Sequence, residues 1–403
     1  MNISLPDTAA LRKLTAELVA KLVAVPSPTG DERPLAELIA CRIGGTVQPL
    51  DDRQANAVAR LRGDGTGPDL MLYAPLDTLT AGDESDLPWA GPRLEPHLLA
   101  EPVVDGDLVT GLGAGNPKGH AACVMAAFLA IRDAGVPLKG DLIAAFGAGG
   151  MPTNALPGTR RHTGQGVGCS FLLEQGVFPD YAVIAKPGWT VSYEEVGLAW
   201  FEVTAHGHHT YAGSRHKLPY SNPIATVAEL VLAVEQWAAD YTARHASGLV
   251  EPQVIVGAIE GGWMRMPSVT PATCRFRVDV RLSPRDTPAE IKREFLALIQ
   301  GLGADAEMVL AIPGTTTDPA SPVVRAAIQA FEEAGGVPYR PEGGMSGATD
   351  ANILRSRGVP TVRVGMPKVA GITDFALGMN TVDARQMARL SRLLVTIALE
   401  LNR

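Results

Sequence analysis

Asp77 and Lys186 each follow a short apolar run of the kind that forms a buried strand. Burial lowers the pKa of a lysine, whereas a nearby carboxylate keeps the amine charged. If Lys186 faces Asp77, the two form a fixed ammonium–carboxylate pair that can anchor a substrate carbonyl or carboxylate. If Asp77 points elsewhere, Lys186 is available as a base or as a Schiff-base nucleophile. The alternative without function is a lysine that reaches solvent at the edge of a cleft.

Several other catalytic motifs are missing from the sequence. Gly111 and Gly113 lack the third glycine of a dinucleotide-binding loop, and neither a P-loop nor a G-x-S-x-G elbow occurs. Cys169 is interpreted as a buried, inert thiol. The cysteines are far apart and predict free thiols in a reducing compartment rather than a zinc ribbon or disulfides.

Composition limits the class of protein. The chain has 403 residues, of which 46% are hydrophobic and 19% are charged, which is typical of a multi-domain globular protein. With 35 basic and 43 acidic residues, the net charge of −8 argues against general binding to nucleic acids or anionic membranes. The N-terminus does not resemble a signal peptide, and no apolar run is long enough to span a membrane. We therefore expect a cytoplasmic location.

The pattern of apolar residues predicts an α/β domain with helices on both faces of a sheet. Four nearly continuous apolar runs predict strands buried on both faces: 70–74, 142–146, 181–185 and 360–364. Helices are predicted over 8–24, 118–134 and 383–402.

The middle of the chain has a different order of elements. Strands are predicted near 198–206, 252–259, 272–283 and 306–311, with helices over 222–245 and 288–301. The order β-α-β-β-α-β is that of a ferredoxin-like domain. We expect an inserted domain over 197–312, between the two parts of an α/β domain over 1–196 and 313–403.

Five stretches in the same order resemble the co-catalytic zinc family of acetylornithine deacetylase, succinyl-diaminopimelate desuccinylase, aminoacylase and carboxypeptidase G. The stretch 56–78 resembles N-x-x-A…G-H-x-D-T, and 111–119 resembles G-x-G-x-x-D-x-K-G. The others are 183–187 (for G-E-P), 268–281 (for N-x-x-P…D-x-R) and 347–351 (for G-x-S-D-A). The resemblance covers the whole chain and implies a metallopeptidase-like mixed sheet domain, flanked by helices, with an inserted ferredoxin-like dimerisation domain.

The positions that would hold the two zinc ions in this family carry unsuitable residues. The resemblance implies two histidines, a bridging aspartate, two further carboxylates and a glutamate base, which together activate a shared water. They fall here on residues that cannot replace them: Pro75, Asn116, Gly150–Met151, Lys186 and the neighbourhood of Ala376. The histidine that the dimerisation domain contributes to its partner corresponds to Tyr211. We therefore expect no dizinc site and no cofactor, with Lys186 as counter-charge to the surviving Asp77.

A relocated metal site is an alternative that the sequence leaves open. Its possible ligands are His120, His162, His208, His209, His216 and Cys123. His208 and His209 are adjacent on a predicted strand, so their side chains point to opposite faces and cannot chelate one ion together.

The candidate site residues follow from the resemblance and from the substitutions. The predicted catalytic residues are Asp77, Lys186 and Tyr211. The predicted substrate-binding residues are Asn116, Lys118, Arg160, Arg161, His209, Asn222, Ser268, Arg281, Gly347 and Thr349. Arg160 and Arg161 lie in an insertion, 152–168, which is interpreted either as a lid that offers guanidinium groups to a carboxylate or phosphate or as a solvated surface loop.

Three functions are compatible with this sequence. The first is a metal-independent enzyme that acts on a small carboxylate-bearing, amino-acid-like substrate through amide-type bond chemistry or cyclisation. The second is a non-catalytic binding or regulatory subunit, and the third is a metal-dependent amidohydrolase with relocated ligands. The resemblance also implies a homodimer that forms through the inserted domain. We expect a small-molecule carboxylate as partner and neither nucleic acid nor membrane.

Overall fold

A computed structural model describes residues 5–153 and 163–402. The chain divides into two compact units. The first runs to Tyr193 and resumes over Thr317–Pro341 and from Thr349 onward, and the second comprises Glu194–Thr316 and Glu342–Ala348.

Helices and strands alternate along the chain. The described helices are α1 (Thr8–Val23), α2 (Arg33–Ile43), α3 (Leu87–Ala90), α4 (Gly119–Asp133), α5 (Val167–Glu174), α6 (Pro223–His245), α7 (Pro288–Gly301), α8 (Pro322–Gly335), α9 (Ala351–Ser356), α10 (Phe375–Met379) and α11 (Ala384–Asn402). The described strands are β1 (Thr46–Pro49), β2 (Ala55–Leu61), β3 (Leu70–Pro75), β4 (Val103–Asp105), β5 (Leu108–Thr110), β6 (Leu142–Gly147), β7 (Tyr181–Ala185), β8 (Val191–Ser192), β9 (Glu194–Glu195), β10 (Gly197–His206), β11 (Val254–Gly261), β12 (Thr273–Leu282), β13 (Asp305–Ile312), β14 (Thr315–Thr316), β15 (Thr361–Val364) and β16 (Thr381–Asp383).

The first unit is built around a mixed sheet with the strand order β1-β2-β6-β3-β7-β15-β8. Its central strands β6, β3, β7 and β15 are parallel to one another. Strands β3 and β6 are buried along their whole length, as their continuous apolar runs predict. One face of the sheet packs against α1, α2, α4, α8 and α11, and the other packs against α5 and α9. The predicted α/β architecture with helices on both faces is therefore confirmed.

The second unit has the predicted ferredoxin-like architecture. Its strands form an antiparallel sheet in the order β11-β12-β10-β13. Helices α6 and α7 contribute the apolar residues that pack against this sheet, with Phe295 of α7 stacked on Phe201 of β10 at 4.2 Å between ring centroids. Helix α7 begins with a capping box between Thr287 and Glu290, which satisfies backbone N–H groups at its first turn.

The segment Glu342–Ala348 belongs to the second unit, whereas the sequence placed it in the α/β domain. The reason is its hydrogen bonding. The Met345 N–H donates to the Leu249 carbonyl at 2.9 Å, and the Glu251 N–H donates to the Met345 carbonyl at 3.0 Å. The Ser346 hydroxyl donates to the Glu251 carbonyl at 2.6 Å. These long-range contacts have no local signal in the sequence.

Among residues 5–153 and 163–402, no helix is both long and apolar enough to cross a bilayer.

Candidate functional site at the carboxyl edge of the parallel strands

The candidate site lies where three parallel strands of the first unit end. Strand β3 ends at Pro75, β6 at Gly147 and β7 at Ala185. Carboxyl ends of parallel strands meet at one edge of a sheet, and ligands of open α/β folds bind outside this edge. Asp77, Gly150 and Lys186 follow these strands closely in sequence, which brings them to the same edge.

Asp77 is completely buried and its carboxylate is fully hydrogen-bonded. Its Oδ1 accepts the Gly150 N–H at 2.8 Å, and its Oδ2 accepts the Met151 N–H at 2.8 Å and the Thr29 hydroxyl at 2.7 Å. Burial raises the pKa of Asp77 because it removes water from the charged form. The hydrogen bonds and the charge of Lys186 act in the opposite direction and favour the carboxylate.

Glu32 is a second buried carboxyl group at this edge, which sequence reasoning missed. Its Oε1 accepts the N–H groups of Gly30 at 3.0 Å and Gly149 at 2.8 Å, and the Gln54 side-chain amide donates to its Oε2 at 3.1 Å. Burial, followed by the negative charge of Asp77, raises the pKa of Glu32 to about 7. Glu32 directly precedes α2, where an acidic residue is ordinarily a surface feature of a helix start, so its burial had no signal in the sequence.

The loop Gly149–Met151 connects these two carboxyl groups. Its three consecutive backbone N–H groups donate to Glu32, Asp77 and Asp77 in turn. Gly149 has φ of +60°, a conformation that glycine adopts without strain. By the resemblance, the family's glutamate base and the adjacent metal ligand would fall on Gly150 and Met151. In this chain, backbone N–H groups of the loop donate hydrogen bonds to the carboxylates of Glu32 and Asp77.

Position 150 has no room for a side chain. A Cβ on Gly150 would lie 2.6 Å from the Cβ of Pro75, 3.1 Å from Oδ2 of Asp350 and 3.2 Å from Oδ1 of Asp77. The first distance is well inside van der Waals contact, so Pro75 and Gly150 fit together only because residue 150 is glycine. The same distances show that the carboxyl groups of Asp77 and Asp350 both lie beside position 150.

Lys186 is only 8% exposed. Its backbone N–H donates to the Val364 carbonyl at 3.0 Å, which continues the pairing of β7 with β15. The positive charge of Lys186 lowers the pKa of Asp77 and also that of His120. The charge of Lys186 therefore favours the ionised form of Asp77, and a direct ammonium–carboxylate contact stays a prediction.

Asn116 and His120 are buried beside the start of α4. The Asn116 amide nitrogen approaches the Met379 sulfur at 3.8 Å, while its Oδ1 has no hydrogen-bond partner among the described residues. His120 is 1% exposed, and neither ring nitrogen meets hydrogen-bonding geometry within that same part of the chain. Burial, together with the charges of Lys186 and Arg363, lowers the pKa of His120 to about 3, so its imidazole is neutral near pH 7.

Lys118 was predicted to bind substrate, but its ammonium contacts the end of α1. Its Nζ donates to the Val25 carbonyl at 2.8 Å and lies 3.5 Å from the Val23 carbonyl. Burial lowers the pKa of Lys118 to about 7. These contacts stabilise the last turn of the helix, and a role in substrate binding stays a prediction.

Tyr73 and Cys169 are buried and both contact Asp350. The Tyr73 hydroxyl donates to Oδ2 of Asp350 at 2.6 Å, and burial raises the pKa values of Tyr73 and Cys169. A buried thiol with a raised pKa is a poor nucleophile, in agreement with the interpretation of Cys169. Asp350 was part of a matching motif but was not predicted as a site residue.

The remaining predicted site residues are distributed as follows. Tyr211, His209, Asn222, Ser268, Arg281 and Gly347 belong to the second unit, Thr349 belongs to the first, and Arg160 and Arg161 lie outside the described residues. Their proposed roles are not tested by the positions alone.

Several of these residues have local structural contacts. Asn222 caps α6 by accepting the Ile224 N–H at 3.1 Å, and Arg281 forms an ion pair with Asp279 at 2.7 Å. His209 contacts the Thr270 carbonyl at 2.8 Å through Nδ1. Tyr211 is 55% exposed, and Gly347 is also exposed. The Ser268 carbonyl accepts the Ala212 N–H, and the Thr349 hydroxyl accepts the Ala351 N–H.

Comparison with known proteins identifies the architecture. Residues 193–307 match the peptidase dimerisation domain of the M20 family. The M20 family metallo-carboxypeptidase Sso-CP2 of Sulfolobus solfataricus is 13% identical, with 96% of this chain and 98% of that chain covered and a TM-score of 0.69. The chain has the fold of the M20 peptidases. Human carnosine dipeptidase 1 is 15% identical over 99% of both chains with a TM-score of 0.72, and the di-peptidase Dug1p of Saccharomyces cerevisiae is 12% identical over 97% of both with a TM-score of 0.70.

The residues of this chain do not fit the metal pair that the M20 fold implies. Pro75 and Gly150 offer no side-chain ligand, and Lys186 places a cation at a ligand position. In addition, no three His, Cys, Asp or Glu side chains of residues 5–153 and 163–402 are grouped so that they could hold a metal ion. Asp77 and Glu32 are each already occupied by backbone donors.

We expect Gly150→Ala to destabilise the first unit. The added Cβ would lie 2.6 Å from Pro75 and would also disturb the two N–H bonds to Asp77. Overpacking of this kind typically costs about 1–3 kcal/mol, to be measured by chemical unfolding. Gly335→Ala is the control, because its Cβ would have nothing nearer than 3.6 Å. Equal stability of the two variants would contradict the packing described for position 150.

We expect Glu32→Gln to change how stability depends on pH. The folded-state pKa of Glu32 is raised from 4.5 to about 7. Between these two pH values Glu32 is therefore mostly protonated in the folded protein and mostly ionised in the unfolded chain. The contribution of Glu32 is thus present in full below pH 4.5 and is lost as the pH rises to about 7. The stability of the wild type relative to Glu32→Gln should fall across this interval by up to roughly 1.4 kcal/mol per pH unit.

Unfolding by guanidinium at a series of pH values measures this difference. Glu37→Gln is the matched control, because Glu37 is an exposed residue of α2 paired with Arg33. A constant difference between wild type and Glu32→Gln from pH 4.5 to 7 would show that Glu32 ionises at its ordinary pKa.

Proposed function

We propose that this chain is a divergent member of the M20 peptidases that has lost its metal ligands and works as a metal-independent enzyme. Its substrate would be a small, carboxylate-bearing, amino-acid-like molecule, and its chemistry would involve an amide-type bond or cyclisation. The observation that carries this proposal is Lys186, a buried ammonium at the carboxyl edge of the sheet whose charge acts on buried Asp77. Sites outside the carboxyl ends of parallel strands are the ordinary ligand sites of such folds.

The proposed roles follow from charge and burial. Lys186 would hold a substrate carbonyl or carboxylate and stabilise negative charge that develops on it, because an ammonium in a water-poor site is a strong electrostatic partner. Asp77 would supply the counter-charge of Lys186, and its carboxylate is held in place by the Gly150 and Met151 N–H groups. Asn116 would offer its amide beside this site, and Tyr211 of the second unit remains a proposed catalytic residue.

A binding or regulatory protein is the second candidate. It is favoured by one observation, which is that the carboxylates of Asp77 and Glu32 accept hydrogen bonds from their own loop. Carboxylates used in this way hold backbone in place and are less available as bases. Ligand binding without turnover is the outcome expected of this candidate.

We expect Lys186→Met to abolish turnover or ligand binding while leaving the fold intact. Methionine is close to lysine in volume, so the substitution removes the charge but keeps most of the packing. Chelator-treated protein would be assayed for product formation against a panel of N-acyl amino acids and dipeptides, with a thermal-shift screen for binding. Lys13→Met, at an exposed position of α1, is the control.

Two results would contradict the proposed function. Unchanged turnover by Lys186→Met would remove Lys186 from the site. Turnover that is lost on chelation and restored by zinc would overturn metal independence. Binding that depends on Lys186, without any product, would favour the second candidate.

We also propose that the chain forms a homodimer through its second unit. Strand β11 lies at the edge of the described sheet and exposes Ile255 and Ile259, which are 59% and 60% accessible. An edge strand with exposed apolar side chains is a surface on which another chain can pair. The match of residues 193–307 to a peptidase dimerisation domain supports association through this unit.

We expect the double variant Ile255→Asp/Ile259→Asp to be a monomer where the wild type is a dimer. Two buried carboxylates would oppose association, because each would lose its water without gaining a partner. Sedimentation equilibrium measures the mass in solution. Val103→Asp is the control, because Val103 is a similarly exposed residue of the first unit. A wild-type mass equal to one chain would contradict the proposed dimer.

A further inference from the structure

A cavity lies in the helical layer of the first unit, away from the carboxyl edge of the sheet. Its volume is about 490 Å³, which is within the range of sites that bury small organic molecules. It is lined by the start of α1 and the residues just before it, by the end of α4, by the end of α8 and by the second half of α11.

The cavity is separate from the candidate site. Lys118 directly precedes α4 and contacts the Val25 carbonyl just after α1. The cavity is instead lined by Ala130 near the end of α4 and by Leu11 near the start of α1. At about 1.5 Å per residue, the stretch of helix from Lys118 to Ala130 is roughly 18 Å long. A ligand in this cavity would therefore occupy a different place from one at the carboxyl edge.

The floor of the cavity is apolar. Leu11, Ala130, Val395 and Leu399 line it, and all four side chains are buried in the protein. Val395 and Leu399 are neighbours on one face of α11, because residues four apart lie one above the other on a helix. Such a floor is suited to the apolar body of a ligand, since burial of apolar surface is favourable.

The charged residues around the cavity are mostly acidic. Asp7, Glu333 and Glu400 line it together with one cation, Arg392, and all of them are exposed. Three carboxylates against one guanidinium leave an excess of negative charge. The side-chain amide of Gln329 donates to Glu333 at 3.2 Å, and this neutral donor leaves the charge of the carboxylate in place.

The start of α1 is not available to an anion. Oδ1 of Asp7 accepts the Ala10 N–H at 2.8 Å, and the Asp7 carbonyl accepts the Leu11 N–H at 3.0 Å. The positive end of the helix dipole is therefore already met by a carboxylate of the protein. Both the helix cap and the excess of carboxylates favour a cation as the ligand.

We propose that this cavity binds a small organic cation with an apolar body, of the arylalkylamine class. The ammonium lies at the acidic rim, and the apolar body rests on the floor of Leu11, Ala130, Val395 and Leu399. The inference does not depend on the proposed function, because no residue of the carboxyl edge takes part. The rim is exposed to solvent, so added salt should weaken binding.

The probe is 2-phenylethylammonium, compared with the neutral 2-phenylethanol and the anionic 3-phenylpropionate. Titrations of the full chain at neutral pH, followed by calorimetry or NMR, measure the three affinities. We expect the cation to bind roughly fourfold to twentyfold more tightly than the alcohol, because each exposed carboxylate contributes roughly twofold to fivefold. The anion should bind more weakly than the alcohol, and ethylammonium, which lacks the apolar body, should not bind detectably.

A variant that fills the cavity tests its location. Thr396 is a half-buried lining residue whose hydroxyl donates only to the Arg392 carbonyl of its own helix, at 3.1 Å. Thr396→Trp places an indole in the cavity and should abolish binding of the cation. Gln300→Trp is the control, because Gln300 is an exposed residue of α7 in the second unit. This variant should bind the cation as the wild type does.

A second variant tests the charge of the rim without changing its packing. Glu333→Gln/Glu400→Gln should weaken binding of 2-phenylethylammonium by roughly fourfold to twentyfold and leave binding of 2-phenylethanol unchanged. Glu17→Gln/Glu37→Gln is the matched control, because it removes the same charge at two exposed positions outside the cavity. If Thr396→Trp does not fold, this pair of variants still decides between binding at the rim and binding elsewhere.

Several outcomes would overturn the inference. They include no saturable binding of the cation, equal affinity for the cation and the alcohol, and binding that survives in Thr396→Trp. Binding that appears only after removal of residues 1–4 would assign the cavity to the chain's own N-terminal segment. Lys186→Met should bind the cation as the wild type does, and loss of binding in that variant would place the ligand at the carboxyl edge instead. Cation binding by a protein that turns over no substrate would support the inference and leave the proposed function contradicted on its own.

Discussion

The hydrogen bonding of two buried carboxylates organises the candidate site. Glu32 and Asp77 are fully desolvated, and the structure tolerates them because backbone and side-chain donors surround their oxygens. This arrangement fixes the loop Gly149–Met151 against the ends of the parallel strands. The positive charge of Lys186 also favours the ionised form of Asp77. Removal of one of the hydrogen-bond donors would leave a buried carboxylate oxygen without that partner.

The site thus differs from a metal centre in the way it balances charge. A pair of divalent cations compensates several carboxylates through direct bonds and leaves open positions for substrate. Among the described residues, N–H dipoles bind the two carboxylates and the positive charge of Lys186 favours the ionised form of Asp77. Electrostatic stabilisation by fixed dipoles and ammonium groups acts at sites from which water is excluded.

The elements of the fold could be predicted from the sequence, whereas the partners of the site residues could not. Continuous apolar runs such as 70–74 and 181–185 correspond to strands, because burial on both faces leaves a direct pattern in the chain. Asp77 and Lys186 were recognisable because they fall in stretches that resemble motifs of a known family. The contacts of Glu32 with Gly149, and of Lys118 with Val25, join residues that are far apart in sequence. Tertiary packing alone determines these contacts.

The close fit of Pro75 and Gly150 has a consequence for how this sequence can evolve. The effect of any larger residue at position 150 depends on what occupies position 75, so substitutions at the two sites are epistatic. A histidine or carboxylate introduced at one of them would first have to be accommodated at the other. A variant that changes only position 150 would fold less stably, because its added side chain meets Pro75. Packing therefore restricts which residues this position can acquire while Pro75 is present.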